Sequence, residues 1–75
     1  MNKQRRTRLR QAQDLIDEAR QIIEEVKDEE EEACEALAEH FPDSDRVSEM
    51  EEYVSSMDDA ISDLEEISGT IEEMI

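Results

Sequence analysis

The sequence predicts an all-α protein: an antiparallel, coiled-coil-like hairpin of two long helices that pairs with a second copy into a four-helix bundle. Three observations predict it. Apolar residues recur at heptad spacing on both sides of the chain's midpoint, one Pro-containing break separates the two runs, and the flanking charges match when the chain folds at that break. The 75 residues make one domain, 1–75, whose core would be thin if the chain stood alone. Composition alone argues for disorder, with 36% hydrophobic against 43% charged residues and a net charge of −16. Sustained periodicity is the stronger signal, because a disordered chain has no reason to repeat.

Helix 1 is expected over about 4–39. Its a and d positions read Leu9, Ala12, Ile16, Ala19, Ile23, Val26, Glu30, Ala33 and Leu37, with Glu30 the one interruption. A further apolar column, Leu15, Ile22 and Ala36, occupies g. A strict two-helix seam needs only a and d, so the stripe is wider than a lone pair of helices requires.

The connector falls at 40–44, within His40-Phe41-Pro42-Asp43-Ser44-Asp45. Pro42 disfavours helix at the residue before it and cannot continue one. Asp43, Ser44 and Asp45 can each cap a new helix by accepting from its first free N–H groups. A link this short forces the two helices antiparallel.

Helix 2 is expected over about 45–74. Its seam reads Val47, Met50, Val54, Met57, Ile61, Leu64, Ser68, Ile71 and Ile75, broken only at Ser68. Its g column holds Tyr53, Ala60, Ile67 and Met74. Folding about Pro42 sets Val26 beside Met57, Ala19 beside Leu64 and Ala12 beside Ile71. The e columns then meet as Lys27 with Asp58, Arg20 with Glu65 and Gln13 with Glu72. Exposed pairs of this kind contribute little energy and serve here as markers of register.

Both g columns fall on one side of that hairpin, Leu15 near Ile67, Ile22 near Ala60 and Glu29 near Tyr53. A contiguous apolar strip on an acidic chain marks an interface. The expected occupant is a second copy, packed g face to g face into a four-helix bundle through Leu15, Ile22, Tyr53, Ala60, Ile67 and Met74; a different protein on the same strip and a monomer that tolerates its exposure are the alternatives.

Charge divides the chain unevenly. Lys3, Arg5, Arg6, Arg8 and Arg10 form a basic arm without an acid among the first ten residues, whereas Arg20, Lys27 and Arg46 face all 24 acids. Such a body repels phosphates and anionic membranes, and only the arm can approach either. Glu72 and Glu73 lie beside the arm in this register and are expected to neutralise it within the chain. The outer face carries Asp17, Glu18, Glu24, Glu25, Glu31 and Glu32 on helix 1 and Asp58, Asp59, Glu65 and Glu66 on helix 2. These rows suit solvation, or imitation of a phosphate backbone. The run Asp28–Glu32 places like charges at i,i+3 and i,i+4 and loosens that turn. Tyr53 is expected within reach of one of its carboxylates across the hairpin.

Chemistry of other kinds finds no footing. A di-iron bundle needs Glu-x-x-His, and the residue three before His40 is Leu37. An EF-hand loop starting at Asp43 would need oxygen ligands where Val47 and Val54 stand. Cys34 and His40 lack a third group, an oxyanion donor or a Gly-rich phosphate loop. No catalytic, metal or cofactor-binding residue is expected, and Cys34 is read as a small, semi-buried packing group. No stretch is apolar enough for a membrane span or a secretory h-region, which points to the cytoplasm.

Several stretches carry a resemblance: the opening Met-Asn-Lys-Gln-Arg-Arg, the acidic run Asp28–Glu32, the connector Phe-Pro-Asp-Ser-Asp-Arg, and the closing Leu64-Glu65-Glu66-Ile67 with Ile71-Glu72-Glu73. Together they resemble small acidic helical-hairpin proteins of phages and mobile elements of gut bacteria. The resemblance implies a non-enzymatic interaction module in the host cytoplasm, either a self-assembling phage accessory protein or a DNA mimic. A mimic of that kind inhibits a basic, nucleic-acid-binding host protein. RNA binding through the basic arm is a further alternative. The missing aromatic in the arm argues against it, since stacking is the usual source of affinity for single strands.

Overall fold

The computed structural model describes residues 1–75 as two helices, α1 (Lys3–His40) and α2 (Asp45–Glu72), without strands. Asn2 caps α1, its side-chain oxygen accepting from the Arg5 N–H at 2.8 Å. At the other end the Phe41 N–H reaches the Leu37 carbonyl at 2.9 Å, closing the last turn. The Ser44 N–H then bonds to the Phe41 carbonyl at 3.1 Å across Pro42-Asp43. Of the three candidate caps for α2, Ser44 takes the role, its hydroxyl accepting from Val47 N–H at 3.3 Å. α2 ends at Glu72, and Glu73 and Met74 form a turn through bonds to Gly69 and Ile71 carbonyls. Tightening of this kind is usual where the last carbonyls lack partners.

The helices lie against each other as a rod of 58 × 14 × 12 Å with a radius of gyration of 17.2 Å, against about 11 Å for a compact chain of this length. The core is correspondingly thin: Cys34, Val47, Met50, Ile61 and Ile71 are the only buried residues. Cys34, Val47 and Met50 cluster beside the connector with Leu37 and Ala38 packed on them. No helix is long and apolar enough to cross a membrane.

The two helices meet this core differently. α2 keeps to its heptad seam, every a and d residue from Val47 to Ile75 being buried or half-buried. α1 turns toward its e flank, where Gln13, Arg20 and Lys27 are half-buried and Cys34 is buried, while Ala33 is exposed. Val26, lettered into the seam, is 46% exposed. The cause is geometric. A straight helix of 3.6 residues per turn slips about 20° per heptad against a strict seven-residue repeat; α1 shows that slip, its inward position moving from a and d toward b and e, whereas α2 holds its seam. By the connector Cys34 and Ala38 have taken the place of Ala33. A semi-buried Cys34 was expected; the drift buries it instead.

Candidate functional site

Leu15, Ile22, Tyr53, Ile67 and Met74 stand on one side of the rod with 43–66% of their surface exposed. Ala60 is half-buried between them. The drift of α1 adds Val26 to this strip, a residue the heptad lettering hides in the core. Toward the connector the strip opens into a shallow groove of 420 Å³ lined by Ile23, Val26, Met57 and Ala60 together with Tyr53, Ser56 and the half-buried Glu30. The chain exposes 5750 Å² in all, against about 4,700 Å² for a compact monomer of its mass. The excess follows from the elongated two-helix shape.

Tyr53 does not reach across the hairpin. Its hydroxyl donates to Glu49 on its own helix at 2.6 Å, a partner one turn away and therefore easier to hold than one on α1. That bond, with the carboxylate's charge, raises the phenol above its ordinary 10.0. The ring's hydroxyl is thus tethered along α2, and its apolar body remains on the strip.

The opposite flank is polar and tied. Lys27 Nζ meets Asp58 at 2.7 Å and Glu31 at 3.7 Å. The Asp58 bond is the main reason that the ammonium lies above 10.5, against partial desolvation. Gln13 Nε2 donates to the Ser68 carbonyl at 3.2 Å and to Glu72 at 2.9 Å. Ser68, the break in the α2 seam, donates its hydroxyl to Asp17 at 3.3 Å. The expected Arg20–Glu65 pair is absent: Arg20 bonds to Glu24 at 2.9 Å on its own helix. An i,i+4 partner asks less side-chain ordering of a long guanidinium than one on the other helix.

These bonds divide the acidic surface. Asp17, Glu24 and Glu31 are half-buried and engaged on the polar flank. Glu18, Glu25, Glu32, Asp59, Glu65 and Glu66 are exposed and outside every ion pair, whereas the exposed Asp58 is held by Lys27. The basic arm is unpaired as well. All three ion pairs belong to Arg20 and Lys27, so Lys3, Arg5, Arg6, Arg8 and Arg10 hold no carboxylate. Glu72 and Glu73 form no ion pair with the arm; Glu72 accepts from Gln13 instead.

Cys34 floors a second shallow groove of 390 Å³ among Glu31, Glu35, Ala38, Glu51 and Val54. Its thiol points to the Val47 carbonyl at 3.8 Å. Burial foremost, then Glu51, Glu30 and Glu35, push it above its ordinary 9.0. A thiol so placed stays protonated, the reverse of what a nucleophile or metal ligand needs. Comparison with protein families, curated proteins and solved structures returns no match.

Proposed function

We propose that this chain is a non-enzymatic helical interaction module that self-associates through its apolar flank and presents an acidic exterior. One observation carries the proposal: Leu15, Ile22, Val26, Tyr53, Ile67 and Met74 stay exposed along a single side of the rod. Continuous apolar strips on acidic surfaces are costly to leave in water, and face-to-face packing of two hairpins covers this one as a four-helix bundle. The test is mass in solution, by size-exclusion chromatography with light scattering at low and high salt. A dimer that persists in high salt is the expected result, since apolar contact is not screened. A monomer at micromolar concentration would sink the proposal.

The free carboxylates favour a second reading of the exterior. Glu18, Glu25 and Glu32 recur every seven residues on α1, as do Asp59 and Glu66 on α2, all exposed. Each row spaces negative charge about 10 Å apart along a stiff rod. That arrangement suits a basic, nucleic-acid-binding protein, with the chain acting as a DNA mimic. The expected mark is binding that weakens steeply with salt and vanishes on Glu→Gln and Asp→Asn changes in these rows, with helix content unchanged.

A further inference from the structure

We propose that the apolar strip is covered by a second copy lying antiparallel to the first, α1 against α1, with Arg8 of each copy facing Glu29 of the other. The inference rests on the self-association proposed above and adds its geometry.

Along the g column α1 reads Met1, Arg8, Leu15, Ile22, Glu29 and Ala36. The column is antisymmetric in charge about the point midway between Leu15 and Ile22. Reversed and laid upon itself, it sets Leu15 against Ile22, Arg8 against Glu29 and Met1 against Ala36. Both charged members are exposed and neither is in an ion pair. Within one chain they stand about 30 Å apart along the helix, so they cannot satisfy each other.

α2 shares the midpoint. In the hairpin register Leu15 lies level with Ile67 and Ile22 level with Ala60, so the same dyad falls between Ala60 and Ile67. It pairs those two across the interface and sets Tyr53 against Met74. A two-fold axis in the plane of contact and perpendicular to the rods does this, bringing each helix onto its own copy. A two-fold axis along the rods would instead bring α1 onto α2 and put both basic arms at one end.

Electrostatics separates the two arrangements. The arm's five cations sit at the N-terminus of α1, where the first turn holds no acid and the helix dipole is already positive. The run Asp28–Glu32 has a single cation, Lys27, bonded through Glu31. The antiparallel dimer lays each arm beside the other copy's run, whereas an axis along the rods, by placing α1 on α2, sets each run against the other copy's Glu51 and Glu52 and leaves it only like charge there.

Charge exchange tests the pairing. Arg8→Glu and Glu29→Arg, made separately, are each expected to weaken the dimer about tenfold at low salt, measured by sedimentation equilibrium. The double variant R8E/E29R restores both contacts and should return to within about threefold of the parent. A double variant as weak as its two singles combined would overturn the proposal. Orientation is read independently from a spin label on Ser48→Cys, with the buried Cys34 left in place and single labelling checked by mass. Pulsed dipolar measurement should give about 45 Å for the antiparallel dimer. A stable dimer with a distance under about 30 Å would overturn the orientation and leave self-association standing. A wild-type chain that is monomeric throughout would remove both.

Discussion

The two flanks of the hairpin come from the same heptads yet meet solvent in opposite ways. On the e flank, polar side chains span the helices: Lys27 holds Asp58, and Gln13 holds both Ser68 and Glu72. On the g flank, Leu15, Ile22, Ile67 and Met74 have little across the gap to bury them. The hairpin closes with its polar edge and leaves its apolar edge open. Fixing register with hydrogen bonds on one side frees the other side from that task.

The larger effects are expected at the apolar edge. Leu15→Glu combined with Ile22→Glu should raise the dimer dissociation constant at least about 100-fold, since each buried side chain is worth about 1.5–3 kcal/mol and each occurs twice. Helix content by circular dichroism, at concentrations where parent and double variant are both monomeric, should stay unchanged. Loss of helix in such monomers would show the strip to be core and not interface. A milder probe is Gln13→Ala, which removes two cross-helix bonds and should cost about 1 kcal/mol in urea unfolding. Its dimer affinity, measured under folded conditions, should be unaltered.

Alkaline titration sharpens the contrast further. Lys27, Cys34 and Tyr53 all lie above their ordinary values of 10.5, 9.0 and 10.0. The folded chain therefore holds these protons where the unfolded chain has released them. Stability present at neutral pH should decline as pH rises past about 9 and through the raised values. Thermal melts at fixed salt would show it, and a melting temperature constant to pH 11 would contradict it. Lys27→Met should remove part of that decline on the polar edge. The smallest effect belongs to Tyr53→Phe, which loses only an exposed bond to Glu49 and should leave both folding and association nearly as they were.

Most of this division was legible in the sequence, because heptad spacing and the Pro42 break leave few ways to fold the chain. The pairs Lys27–Asp58 and Gln13–Glu72 could be read from register alone, being short bridges between facing columns. Arg20 and Tyr53 could not. Each found a carboxylate four residues away on its own helix, and heptad lettering does not weigh such local partners against cross-helix ones. Burial of Cys34 and exposure of Val26 escaped for another reason. A seven-letter alphabet assumes the supercoil that removes the 3.6-residue drift, and α1, unlike α2, does not follow it. The Asn2 cap was missed because no apolar residue follows it to signal a helix start.

The cluster beside the connector has a kinetic consequence. Cys34 and Val47 close a loop of few residues, whereas Gln13 and Glu72 must find each other across most of the chain. Closure entropy rises with loop length, so the first contacts to form are those next to Ser44 and the last are those at the termini. The hairpin should then fold as a zip, drawn from the turn outward. Amide exchange would trace its teeth, slow around Met50 and fast toward Arg10 and Ile71, with the charged arm the last piece to come to rest.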